Sequence, residues 1–208
     1  MRNLKSILFA TIFALAAISC SKNEDPITQP VESKKIENLH APQTTDYTVR
    51  PPVTSGEFTK FSFKEGKKTT GDNWDIAFRG TTILVNGGTV IGITDEPARK
   101  GNASLALENG TFSGIIKAPE EASFKQDATG VYALPTGSNN GWYSYAGPPT
   151  HAINPIAGKV LVIKTIDGNY AKVEILSYYK DNTPSQANSR YYTFNYVYNP
   201  NKGDKNFK

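Results

Sequence analysis

The sequence predicts an all-β protein of mostly antiparallel strands with little helix, and three observations carry that prediction. Along several short stretches the apolar residues alternate with polar ones, which places them on one face of a pleated strand rather than along a helix. Asn86-Gly87-Gly88 and Asp167-Gly168 stand between such stretches as turn-forming pairs of the kind that closes a hairpin. The 208 residues also hold 11 Tyr and 10 Phe, side chains that suit half-buried sheet faces, separated by runs rich in Gly, Pro, Asn, Ser and Thr.

From the N-terminus, Arg2 and Lys5 precede an uncharged stretch from Ile7 to Ile18 and the small Ser19. This is the pattern of a secretory signal peptide over residues 1–19, too short to span a bilayer. Ala17-Ile18-Ser19-Cys20 resembles the lipobox of bacterial lipoproteins, with Ala17 where Leu is commoner. That resemblance implies that the Cys20 thiol is acylated and becomes the new N-terminus. Ser21-Lys22-Asn23-Glu24-Asp25 is similar to the export tag of Bacteroidota lipoproteins, which implies lipid anchoring in the outer membrane, facing the cell exterior. Residues 20–53 carry Pro26, Pro30, Pro42, Pro51 and Pro52 among Thr, Gln, Lys and Glu, so they read as a disordered tether unable to bury enough apolar surface to order itself. The folded domain is expected over 54–200, with a flexible tail over 201–208.

Within that domain, Phe58 to Phe63 is a short strand candidate. In Asn73-Trp74-Asp75-Ile76-Ala77-Phe78-Arg79, the residues Trp74, Ile76 and Phe78 share a core face, and Asp75 and Arg79 fall on a solvated or paired polar face. Ile83-Leu84-Val85 is expected to turn at Asn86-Gly87-Gly88 and return through Val90-Ile91. Phe112 to Ile116 and Trp142 to Tyr145 are further short strands, and Ala118 to Asn140 and Gly147 to Gly158 are loops with one helical turn near Pro119 to Phe124. Val160 to Ile163 and Tyr170 to Tyr178 flank Asp167-Gly168 as a second hairpin. Arg190 to Tyr198 closes the domain, with Tyr192, Phe194, Tyr196 and Tyr198 on one side and both faces covered.

The formal charge of +4 falls to +2 once Arg2 and Lys5 are removed, a nearly neutral surface that gives no reason to expect nucleic acid. Enzyme signatures are missing: there is no His-Glu-x-x-His, no Gly-x-Ser-x-Gly and no phosphate-binding glycine loop. The adjacent acids Asp95-Glu96 and Glu120-Glu121 read as solvated loop charge. A binding protein, not an enzyme, is the expectation.

The chain resembles the HmuY-type haem-binding lipoproteins of Bacteroidota. The matching residues are Phe61-Ser62-Phe63 with Gly66, the block Asn73 to Arg79 with Ile83 and Asn86-Gly87-Gly88, the hairpin Asp167-Gly168-Asn169-Tyr170-Ala171-Lys172-Val173, and Tyr192-Thr193-Phe194-Asn195-Tyr196. What the resemblance implies is two facing sheets, haem as ligand, and delivery of that haem to a TonB-dependent outer-membrane receptor. In the family one axial ligand sits on the loop after the Trp-containing strand that starts here at Gly141-Trp142. His151 lies on that loop, four residues past Gly147, where an ungapped count from Asp167-Gly168 puts the family position. The other family ligand corresponds to 128–140, which has no His or Met and offers only Tyr132. The one remaining histidine, His40, falls in the expected tether.

A haem site needs an axial donor in an apolar, aromatic cleft. Three readings stay open. His151 ligates the iron, alone or with a tyrosine, while Tyr132, Trp142, Tyr143 and Tyr145 frame the ring. Alternatively haem is held by stacking and by propionate contacts to Lys or Arg, without a strong iron ligand. In the third, the fold has lost haem ligation and its exposed aromatics bind a glycan, a peptide or a partner protein.

Overall fold

The computed structural model describes residues 28–208; the signal segment, Cys20 and the first part of the tether lie outside the described residues. Thirteen strands are described: β1 (Glu32–His40), β2 (Thr44–Asp46), β3 (Val53–Ser55), β4 (Thr59–Ser62), β5 (Lys67–Lys68), β6 (Ile76–Arg79), β7 (Thr82–Val85), β8 (Ser104–Asn109), β9 (Tyr143–Tyr145), β10 (Ile153–Pro155), β11 (Lys159–Lys164), β12 (Tyr170–Tyr179) and β13 (Ser189–Asn199). Helix among them is limited to single 3-10 turns at Glu121–Ser123 and Lys180–Asn182. The all-β class and the scarcity of helix are as the sequence predicts.

Two sheets face each other, one of five strands in the order β1-β13-β12-β11-β8 and one of four in the order β5-β4-β6-β7, with every strand pair antiparallel. The core fills the space between them. Phe61, Ile76, Phe78, Ile83 and Val85 come from the four-stranded sheet, and Leu105, Leu161, Ile163, Tyr192, Phe194 and Tyr196 from the five-stranded one. The rings of Phe194 and Tyr196 in β13 meet Phe61 of β4 edge-on at 5.5 and 5.9 Å, while Phe78 of β6 stacks on Phe194 at 5.9 Å. The outer face of the five-stranded sheet is covered as well, by Phe207, Phe112 and Ile115 over Val160, Val162 and Val197, which is why β11 reads as an unbroken apolar run.

Several expectations are corrected. The tether reading of 20–53 does not hold for its second half. Glu32–His40 is an edge strand paired with β13, and β2 and β3 form a small hairpin. Its backbone is satisfied by a distant partner, a stabilisation that local composition cannot report. The tail 201–208 is not free either, since Phe207 is buried and its N–H donates to the Ile116 carbonyl at 2.9 Å. Around Asn86 no return strand forms. The hairpin instead closes one step earlier, between β6 and β7, at Gly80-Thr81, where Gly80 takes a φ of 52°. Asn86 is a fully buried hub: its amide donates to the carbonyls of Asp72 and Trp74, and its oxygen accepts from the N–H groups of Lys100 and Gly101. Phe112 to Ile116 is a turn.

Asp75 and Arg79 are not on a wet face. Asp75 is buried and bridges the sheets, accepting from the N–H of Phe63 at 2.8 Å and from that of Ile166 at 2.9 Å. Arg79 lies over the Phe58 ring at 4.3 Å and donates to the carbonyls of Gly56 and Thr94. Glu96 is likewise buried, its carboxylate accepting the N–H groups of Ile91, Gly92 and Ile93 and pairing with Arg99 at 3.0 Å.

Candidate functional site

The loop that carries His151 is the tip of the β9–β10 hairpin. Pairing of Tyr145 with Ile153 and a bond from the Ala146 N–H to the Ala152 carbonyl at 2.9 Å pinch the loop shut at its base. The His151 N–H donates to the Gly147 carbonyl at 2.8 Å, and His151 takes a φ of 51°, a left-handed conformation that few side chains accept. This folds the imidazole back against Tyr145, with ring centroids 5.9 Å apart and planes inclined by 26°. The Tyr145 hydroxyl is hydrogen-bonded to Nδ1 of His151. When that nitrogen carries the proton, Nε2 is left as the free lone pair.

His151 and Tyr145 form one wall of a cleft of about 610 Å³. Opposite stand Tyr178 and Tyr179 at the end of β12, Arg190 at the start of β13, the 184–186 segment between them and Tyr47 from the β2–β3 hairpin. The Ile153 N–H donates to the Tyr179 hydroxyl at 2.7 Å, which fastens the β9–β10 hairpin to the five-stranded sheet. Tyr47 is 70 % exposed and stands at the mouth. Burial drives the Tyr178 hydroxyl far above the ordinary tyrosine range, against the opposing pull of nearby Arg190, so it stays a neutral donor at physiological pH.

Of the residues singled out in the sequence, the structure brings together His151 and Tyr145. Tyr143 lies on β9 with Tyr145, and Trp142 directly before it, but both are buried in the core. Trp142 donates Nε1 to the Thr81 carbonyl at 3.0 Å and packs on Tyr192 and Tyr178, so it supports the cleft from behind without lining it. Tyr132 belongs elsewhere. It packs with Trp74, Ala77 and Leu84, the outward-facing residues of the four-stranded sheet, and shares no wall with His151. His40 is also not a cleft residue: it sits at the end of β1, stacked on Tyr191 with centroids 4.3 Å apart. Burial, with help from Arg190 and Lys68, lowers its pKa. Tyr47, Tyr178, Tyr179 and Arg190 went unmarked in the sequence; the one available signal was that Tyr178-Tyr179 and Arg190 bracket a Pro-, Ser- and Asn-rich connection of the kind that borders a binding cleft.

Among the described residues, no group of three or more His, Cys, Asp or Glu is placed to hold a metal ion by side chains alone, and no helix is long and apolar enough to cross a membrane. Cys20 lies outside the described residues.

Comparison with known proteins finds one family match and several similar solved structures. Similar solved structures include the apo HmuY analog of Tannerella forsythia, with 16 % identity and a TM-score of 0.44 over 84 % of this chain and 100 % of that one. Another, described as an HmuY-like heme binding protein of Bacteroides vulgatus, has 15 % identity and a TM-score of 0.46 over 84 % and 97 %. A Bacteroides fragilis protein described as a lipoprotein has 12 % identity and a TM-score of 0.47 over 84 % and 95 %. No curated protein matches the sequence. The model of the HmuY protein family matches residues 54–196, most of the chain, and the protein therefore belongs to the HmuY family.

Proposed function

We propose that this protein is a haem-binding lipoprotein that takes up haem in the cleft between the β9–β10 hairpin and the β12–β13 connection. It acts by binding and not by catalysis. The observation that carries this reading is the His151–Tyr145 pair on the wall of an aromatic cleft. A histidine that ligates a metal is commonly oriented by a hydrogen bond at its other ring nitrogen, and the Tyr145 hydroxyl supplies that bond. The volume suits a ligand of this size, since small-molecule sites run from about 300 to 1,000 Å³. Tyr47 gives an exposed flat apolar face at the mouth, and the largely buried Tyr178 and Tyr179 form part of the floor. With His40 and Tyr132 both away from the cleft, His151 is the one imidazole that serves it, and any second iron ligand is a cleft tyrosine.

The lipobox-like Ala17 to Cys20 supports acylation at Cys20 and lipid anchoring in the outer membrane, with the acidic segment after it favouring display on the cell exterior. In this reading the protein captures haem outside the cell and passes it to a TonB-dependent outer-membrane receptor. An open cleft suits such a carrier, because haem held at a cleft mouth can leave toward a partner.

A haem titration followed by absorbance tests the reading. The wild-type protein is expected to develop a Soret band with saturable binding. His151→Asn, which tolerates the left-handed backbone at this position, shifts the band and lowers affinity at least about tenfold, and Tyr145→Phe lowers it by about 10- to 100-fold. An identical spectrum and affinity in His151→Asn removes the imidazole from the site. Absence of any Soret change in the wild type, with retention on a glycan or peptide array, replaces haem by the other cargo.

A further inference from the structure

The charge of the cleft is one-sided. None of the residues lining it is an Asp, Glu or Lys, and the single permanent charge is Arg190. Among the described residues the Arg190 guanidinium enters no ion pair. Nη1 donates to the Gln43 carbonyl at 2.7 Å, and the Tyr178 hydroxyl lies beside it. Of the five N–H donors of a guanidinium, most therefore remain without a protein acceptor. A partly buried cation among tyrosine faces gains most from a planar anion that takes the fork in two parallel bonds.

The backbone points the same way. Arg190 adopts a φ of 72°, rarer for its residue type than the 51° of His151 across the cleft. Such a conformation costs about 1–3 kcal/mol and survives where surrounding contacts enforce it, often at a ligand clamp. Here the enforcing contacts are the Arg190 carbonyl accepting the Ala41 N–H at 2.8 Å and the side chain donating to Gln43. The two bonds aim the side chain along the cleft wall.

We propose that Arg190 is the carboxylate anchor of the cleft, and that the site selects planar tetrapyrroles by their ring and their carboxylates, so that the metal-free dicarboxylic porphyrin binds too, the iron-loaded one gaining further from His151. This rests on the haem reading of the cleft but separates ring and carboxylate recognition from iron ligation.

The test uses the full chain and four probes delivered from the same organic stock: haem, metal-free protoporphyrin and the dimethyl esters of both, each titrated by quenching of protein fluorescence. On the wild-type protein the free acids are expected to bind about 10- to 100-fold more tightly than the esters, the size of a charge-assisted bond. In Arg190→Gln that ratio falls to about one for both rings, and in Arg190→Lys it is intermediate, because charge is kept but the fork is lost. The wild-type ratio needs no variant, so misfolding of Arg190→Gln leaves the test standing. Acid and ester binding with equal affinity overturns the anchor, even where haem binds through His151. Binding of the metal-free acid over its ester, with no gain for haem, upholds the anchor and overturns the iron ligand. Failure of all four probes to bind overturns both.

Discussion

Asp127→Ala is expected to cost about 3–5 kcal/mol of folding free energy, the range for a buried ion pair that loses one partner. The side chains of Asp127 and Arg99 are 0 % and 1 % exposed, and Oδ2 of Asp127 accepts from Arg99 at 3.0 Å. The same carboxylate accepts the N–H groups of Val85 at 3.0 Å and Ala133 at 2.9 Å, so it ties β7 to the loop that bears Tyr132. Removing it strands a guanidinium that only Glu96 then neutralises, and leaves two backbone donors without acceptors. Urea denaturation followed by circular dichroism measures the loss. The double variant Arg99→Leu/Asp127→Ala should be more stable than the sum of the two single losses predicts, since the Arg99–Asp127 pair is then lost once and no guanidinium is stranded, while Glu96 keeps its three backbone N–H donors. A loss under about 1 kcal/mol in Asp127→Ala would mean that water replaces the carboxylate at little cost.

Asp75 carries the second large effect, and its size depends on pH. Burial pushes its carboxyl up to about 6, against the opposing influence of the N–H groups of Ile166 and Phe63. In an unfolded chain the same group titrates near 3.9. Between these values the folded protein binds the proton more tightly, so its contribution to stability is fully present below about pH 4 and is lost as the pH rises to about 6. At about 1.4 kcal/mol per unit the loss is about 3 kcal/mol. Asp75→Ala removes this step and orphans two buried N–H groups, costing about 3 kcal/mol at pH 4. The stability curves of the two proteins should therefore converge as the pH rises past 6. A gap that stays constant from pH 4 to pH 7 would show that the carboxylate is already charged throughout that range.

What the sequence revealed and what it concealed divide along the range of the interactions. β11, β12 and β13 were legible because their alternation and the Asp167-Gly168 turn are local, and the expected hairpin pairs in register from Leu161 with Val173 to Lys164 with Tyr170. β1 was not, because Glu32–His40 buries only Leu39 fully and is held by its ladder to a strand far along the chain. A charged, Pro-flanked segment of that kind has the composition of a tether and the structure of an edge strand. The same holds for charge. Asp75, Arg79, Glu96, Arg99 and Asp127 sit on loops or the expected polar face of a strand, and their burial depends on carbonyls, N–H groups and partners from remote segments.

The candidate site was half legible for a related reason. His151 and Tyr145 are six residues apart on one hairpin, so a linear reading could join them. Tyr132 was selected as the one donor in the stretch that corresponds to a family ligand loop, and its packing on Trp74, Ala77 and Leu84 was invisible in one dimension. The opposite wall, from Tyr178 to Arg190, is assembled from the two longest strands, where a tyrosine at a strand end looks the same as one in the core.

The outermost strand has a consequence for life at high local density. β1 offers its free side to solvent with Lys34 on Glu32 and Lys35 on Glu37 as neighbouring charges, and it kinks where Asn38 takes a φ of 56° between Ile36 and Leu39. A second molecule trying to zip onto that rim meets charged side chains and a break in the row of amides, features that oppose rim-to-rim pairing of crowded copies.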